Sequence, residues 1–126
     1  MGVYILYTCL FVEINMDPKL WGPSTWQYLH SLPGNSKPEA IGKCLNCLAL
    51  PCSICQESFE EFKEQNPPII DSEDKAHAYI SSLHNYVNRK LGKQEYTLEE
   101  CKKRWCLPKK SSKSTGAQIL EARFDN

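Results

Sequence analysis

The chain has 126 residues, enough for one domain around one hydrophobic core and too few for two. Fifteen Lys plus Arg balance fifteen Asp plus Glu, and that zero net charge argues against a nucleic-acid binder and against a polybasic membrane anchor. Hydrophobic residues at 41% and charged residues at 24% exclude a wholly disordered chain, while seven cysteines, below the density of a disulfide-stapled scaffold, direct attention to sulfur chemistry.

Residues 3–14 (VYILYTCLFVEI) are almost all apolar, yet they are fewer than the roughly 20 a membrane-spanning helix needs and lack the positive start of a secretory signal. Leu6 stands where a myristoylation site wants Ser or Thr. Met16 opens a polar phrase that could itself be a start, so residues 1–15 read as an extension outside the fold, with a short strand or a hydrophobic docking segment as alternatives. A first helix is predicted from near Pro23 to about Leu32, stopped by Pro33-Gly34. A second runs from about Lys37 to Ala49, with Ile41, Leu45 and Leu48 at helical spacing and Pro51 beyond its end. The third begins at Cys52, stacks Cys55, Phe59 and Phe62 on one face and breaks at Asn66-Pro67-Pro68.

The fourth is the clearest: Asp71 or Ser72 as cap, an apolar stripe of Ala76, Ile80, Leu83, Val87 and Leu91, and Gly92 just past the end. Beside that stripe run His77, Ser81, His84 and Asn88, a row of hydrogen-bonding groups bordering the buried face. A short fifth helix covers Leu98 to Trp105, and the polar segment 108–126 is predicted to be a mobile tail. No internal repeat or alternating strand pattern interrupts this. The predicted class is all-α, a four-helix bundle with an added short helix, in a folded domain spanning residues 16–107.

Pro51-Cys52-Ser53-Ile54-Cys55 places a CxxC at the start of a helix, where backbone N–H groups and the macrodipole favour the first cysteine's thiolate. Two such sulfurs can close into a disulfide that exchanges with outside dithiols. By itself the motif leaves redox work, metal ligation and structural burial open. Cys44 and Cys47 form a second CxxC upstream, and four thiolates within twelve residues would suit zinc. Gathering them around one ion demands a tight knuckle for which no glycine is available. The plainer reading is that Cys44 and Cys47 pack as small apolar residues in the second helix.

Trp21, Trp26, His30, His84, Asn85, Asn88 and Trp105 form the second unusual set. Trp26 and His30 share a helix face at i and i+4, as do His84 and Asn88. Singly each reads as core filler. Together they supply ring surfaces and hydrogen-bonding groups for a flat, polar-edged aromatic cofactor, with Lys93 and Tyr96 adding a cation for phosphate and a further wall.

The phrases WGPSTWQYLH (21–30), PCSIC (51–55) and HNYVNRKLGKQEY (84–96), in that order and at those separations, resemble the Erv/ALR flavin-dependent sulfhydryl oxidases. The resemblance covers about residues 18–105, and the chain's brevity resembles the minimal versions encoded by large DNA viruses. It implies a helical bundle holding FAD, without a metal, and a homodimer. It also implies a reaction in which protein dithiols reduce a disulfide and molecular oxygen finally takes the electrons to give hydrogen peroxide. Carried onto matching positions, Cys52 is the outward interchange thiol and Cys55 the one against the flavin. Gly22, Thr25, Trp26 and His30 line the cofactor from the first helix, and His84, Asn85, Val87, Asn88, Leu91, Lys93 and Tyr96 from the fourth and its exit. Trp105 falls near the adenine. The resemblance implies the host cytoplasm or the virion as the place of work, with the mitochondrial intermembrane space or the secretory pathway as alternatives.

Two departures stand out. Leu98 occupies a position where family members commonly carry a cysteine, and Leu50 the place of an aromatic before the Pro-Cys pair. Cys101 and Cys106, five apart, form a local bridge only if the helix ends between them. The alternative to an oxidase is a zinc-stabilised, cysteine-rich binding module.

Overall fold

Asp17 starts the first helix: its carboxylate accepts the Lys19 N–H at 3.0 Å, and Pro18 takes the opening position, where its missing N–H costs nothing. The computed structural model describes residues 15–105. Its helices are α1 (Pro18–Ser31), α2 (Pro38–Cys47), α3 (Ser53–Gln65), α4 (Glu73–Lys90) and α5 (Leu98–Trp105), and among the described residues there is no strand. The all-α class and the five helices of the sequence reading are therefore present. Residues 1–14 and 106–126, which hold most of the predicted extension, the predicted tail and Cys106, lie outside the described residues.

Three helix ends differ from expectation. α1 begins five residues before Pro23, which sits inside the helix on an exposed face, where water can serve the carbonyl it leaves unbonded. α2 ends at Cys47 rather than Ala49 because Leu48 turns extended at ψ 121°. Cys52 is the cap of α3 and not its first residue; its sulfur accepts the Cys55 N–H at 3.3 Å. Residues 48–52 thus form a short non-helical strap between α2 and α3.

α4 is built as read. Ser72 caps it by accepting the Lys75 N–H, Glu73 and Asp74 fill its first turn, Arg89 and Lys90 its last, and Gly92 takes the left-handed φ of 68° just beyond. Thr97 and Glu100 open α5 with a reciprocal capping box: Thr97 Oγ1 accepts the Glu100 N–H and the Glu100 carboxylate accepts the Thr97 N–H.

α4 packs against each of the other helices, and α1 also packs against α5. The core gathers Leu29 and Leu32 at the end of α1, Ile41 and Leu45 of α2, Phe59 and Phe62 of α3, Ile70, and Ala76, Ile80 and Leu83 along α4. α2 comes so close to the Pro67-Pro68 turn that a Cβ on Gly42 would meet the Pro68 carbonyl at 2.9 Å. This arrangement leaves one polar cluster between α1, α4 and α5, and the CxxC at the loop-bearing N-terminal end of α3.

Candidate active site

Trp26 and His30 reach the α1–α4 interface because they lie one turn apart on the face of α1 that carries Leu29. There His30 Nε2 and His84 Nδ1 of α4 stand 2.9 Å apart, both rings buried. The Trp26 indole stacks on His84 with centroids 3.8 Å apart and planes within 8°, while Trp105 of α5 stacks on His30 at 4.9 Å. Tyr96 meets Trp105 edge-on at 5.3 Å. Asn85 fixes that turn, donating to the Tyr96 carbonyl at 2.6 Å and accepting from its N–H at 2.9 Å.

Burial, first of all, pushes both histidines down to about 4; the proximity of His77 adds to this for His30, and that of His30, Lys93 and Arg104 for His84. Both imidazoles are therefore neutral at pH 7, each able to donate from one nitrogen and accept at the other. Asn88, one turn beyond His84, is buried, and its Nδ2 donor has no hydrogen-bond partner within the described residues. A buried amide donor left unmet costs about 1–3 kcal/mol, so this site wants an acceptor.

The remaining predicted residues surround rather than join the ring cluster. Gly22 is half-buried with open space where a Cβ would be, and Thr25 Oγ1 donates to the Trp21 carbonyl at 2.9 Å. Val87 is half-buried, Leu91 is exposed, and exposed Lys93 ties its backbone N–H to the Asn88 carbonyl at 2.8 Å. Two contributors had no signal in the sequence reading. Gln27 donates from Nε2 to the Trp105 carbonyl at 2.5 Å, joining α1 to α5, and the Arg104 guanidinium lies over the rings of Tyr96 and Trp105 at 5.1 and 5.3 Å. The Thr97-to-Glu100 spacing that orients α5 was a readable signal.

At the start of α3, Cys52 and Cys55 are joined as a disulfide with Cα atoms 5.2 Å apart, both residues half-buried. Asn15 Oδ1 accepts from the N–H and the hydroxyl of Ser53, adding a second acceptor to the start of α3. The second CxxC differs. Cys44 is half-buried against the core with its sulfur 3.7 Å from the Tyr28 hydroxyl, but Cys47 is exposed, which corrects the reading of both as packed residues. Cys47, the last residue of α2, stands two positions after Leu45, about 200° around the helix and so away from the core side that Leu45 holds. Among the described residues no three His, Cys, Asp or Glu side chains gather in a way that could hold a metal ion.

The bundle and its CxxC define a class. The model of the Erv1 / Alr family matches residues 23–106, and the chain belongs to that family. It is 29% identical over 98 residues to the mitochondrial FAD-linked sulfhydryl oxidase ERV1 of Saccharomyces cerevisiae, a match covering 71% of this chain and 52% of that protein. To the FAD-linked sulfhydryl oxidase of African swine fever virus (isolate Tick/Malawi/Lil 20-1/1983) it is 31% identical over 91 residues, covering 65% of this chain and 76% of the viral one. Against the crystal structure of the FAD binding domain of Erv1 from Saccharomyces cerevisiae the TM-score is 0.59 at 26% identity, covering 72% of this chain and 95% of that one. The chain spans about half the length of the yeast and Arabidopsis thaliana relatives, 52% and 49% respectively.

Proposed function

We propose that the chain is an FAD-dependent sulfhydryl oxidase that forms disulfides in protein dithiols through Cys52 and Cys55. The observation that carries the reading is the Cys52–Cys55 disulfide at the start of α3, in a chain of the Erv1 / Alr family. At that place the N-terminal end of α3 favours a thiolate at Cys52 and hence a sulfur that exchanges readily. A substrate thiolate attacks the Cys52 sulfur, the S–S bond breaks and Cys55 leaves as thiolate. The second substrate thiol, losing its proton, attacks the substrate sulfur of the mixed disulfide. The substrate departs oxidised, and Cys52 and Cys55 are left as the reduced pair.

The residues of the α1–α4–α5 cluster fit FAD. The unmet Asn88 donor asks for an acceptor, the neutral imidazoles of His30 and His84 offer either role, and Lys93 and Arg104 bring positive charge that suits a diphosphate. When bound, FAD would supply a two-electron acceptor for the reduced pair, with molecular oxygen as the final oxidant giving hydrogen peroxide. In this reading Gly22, Thr25, Trp26 and His30 hold it from α1, His84, Asn85, Val87, Asn88 and Leu91 from α4 and its cap, and Lys93, Tyr96 and Trp105 from beyond.

The working unit is residues 16–107 as a homodimer, a reading supported by the exposed apolar Leu20 and Tyr28, which lie eight residues apart on α1. The viral relative supports the host cytoplasm or the virion as the place of work, and the yeast relative, named as mitochondrial, supports the alternative. No helix among the described residues is long and apolar enough to cross a membrane. The test is oxygen uptake by the purified chain on addition of a small dithiol, with peroxide measured alongside. Uptake matched by peroxide supports the reading, and a chain that binds flavin but consumes no oxygen with any dithiol overturns it.

A further inference from the structure

The strap of residues 48–52 carries the chain into Cys52, and the backbone groups of Leu48 and Leu50 in it are met by one side chain of the helix it precedes. Gln56, directly after Cys55, accepts the Leu50 N–H on Oε1 at 2.6 Å and donates from Nε2 to the Leu48 carbonyl at 3.3 Å. The same Nε2 reaches Glu60 Oε1 at 2.9 Å, and that carboxylate oxygen pairs with Lys63 Nζ, also at 2.9 Å. Lys63 is buried; its ammonium lies 4.3 Å from the Phe59 ring centroid and donates to the Leu45 carbonyl of α2 at 3.2 Å.

Gln56, Glu60 and Lys63 therefore form one bonded row at i, i+4 and i+7 along α3. One end of the row grips the last turn of α2 and the other grips the strap. A lysine is costly to bury unless paired, and here it satisfies a carbonyl that the end of α2 leaves without a helical partner.

We propose that Gln56, Glu60 and Lys63 are positioning residues for the Cys52–Cys55 pair: they hold the strap so that the Cys52 sulfur stays within bonding reach of Cys55 after the disulfide opens. The proposal rests on the reading of that pair as the redox centre. The stability of a disulfide relative to its dithiol depends on how closely the open thiols are held. Within the strap the Cys52 carbonyl accepts the Gln56 N–H at 2.9 Å and the Pro51 carbonyl the Met16 N–H at 2.8 Å, whereas the backbone groups of Leu48 and Leu50 are held by the Gln56 side chain. Without the row, Cys52 samples more positions in the reduced state and ring closure becomes less favourable.

The test is the equilibrium of the Cys52–Cys55 pair with glutathione, measured anaerobically on the full chain by thiol alkylation and peptide mass spectrometry, with thermal unfolding recorded for each variant. Gln56→Ala removes all three bonds of the side chain. Gln56→Glu keeps the acceptor for Leu50 but sets a carboxylate against Glu60. Both are expected to move the equilibrium about tenfold toward the dithiol, about 30 mV. Adding Glu60→Gln to Gln56→Glu restores a donor–acceptor contact in the reverse direction, and the amide oxygen then present at position 60 would still accept from Lys63. The double variant is expected to recover most of the shift. Lower thermal stability with an equilibrium within twofold of wild type would overturn the proposal, as would a double variant no better than Gln56→Glu. Failure of the oxidase reading appears in a separate measurement, as wild-type protein that takes up no oxygen with dithiol while the glutathione equilibrium still responds to Gln56.

Discussion

The ring cluster between α1, α4 and α5 and the cysteine end of α3 are held by opposite means. In the cluster side chain meets side chain: Trp26 on His84, His30 on Trp105, imidazole to imidazole, all in a setting dry enough to keep both histidines neutral. At the cysteine end it is the backbone that is held: by side chains, Gln56 on Leu48 and Leu50 and Asn15 on Ser53, and by main chain, the Met16 N–H on the Pro51 carbonyl. The first region is suited to recognise a flat ligand and to gain stability from it. The second keeps a half-exposed sulfur pair reachable from outside while fixing the chain around it. The regions should therefore respond differently to substitution, activity being lost without stability at one and stability together with cofactor at the other.

The largest effect belongs to the cysteines. Cys52→Ser and Cys55→Ser are expected to bring dithiol-driven oxygen uptake to background while leaving flavin content and thermal stability close to wild type. Serine is a good helix cap, so Cys52→Ser keeps an acceptor at the start of α3. Near-normal turnover by either variant would place the redox pair elsewhere.

Next comes the cluster. Trp26→Ala removes an aromatic stacked on His84 and should cost about 3 kcal/mol in denaturant unfolding, with flavin lost on purification because bound cofactor stabilises the folded state by mass action. A fully flavinated and equally stable Trp26→Ala or His84→Ala protein would show that the cluster is ordinary packing.

A pH series sharpens the same contrast. His30 and His84 have folded values near 4 against about 6.5 in the unfolded chain, so between those values the unfolded state binds more protons. Stability is then complete above about pH 6.5 and falls as the pH drops toward 4, on the order of 2–4 kcal/mol for the pair. Urea unfolding at pH 7 and pH 5 should show the loss, and His84→Phe should flatten it. An unchanged slope in that variant would assign the pH dependence to other groups.

The smallest effects lie in the supports. Ser72→Ala should cost about 1 kcal/mol through the lost α4 cap, with no change in turnover. Cys47→Ala, at an exposed helix end, should shift unfolding by less than about 0.5 kcal/mol and leave activity on a protein dithiol unchanged. Selective loss on the protein substrate would give Cys47 a part in electron transfer.

What was legible in the sequence follows the same division. The cluster could be read because its members repeat at i and i+4 on two helices, and because neutral polar groups beside an apolar stripe have a recognisable pattern. α4 could be read from Ser72 to Gly92 because cap, charge bias and stop signal agree. The start of α1 was misplaced because Pro18 and Pro23 both qualify as an opening proline, and the deciding feature is the Asp17 side chain bonded to Lys19. The strap was illegible for a physical reason: Gln56 bonds to the main chain of residues 48 and 50, and backbone groups leave no trace in residue identity. Leu48 turning extended, which ends α2 early, has no local sequence cause that we can name.

The most direct test of the account is the visible absorption spectrum of the purified full chain before and after anaerobic addition of dithiothreitol, for wild type and Cys55→Ser side by side. The account predicts a yellow wild-type protein whose flavin band bleaches with dithiol, and an equally yellow Cys55→Ser protein whose band does not bleach at a comparable rate. A colourless wild-type chain carrying stoichiometric zinc, or a Cys55→Ser protein that bleaches as fast as wild type, would contradict it.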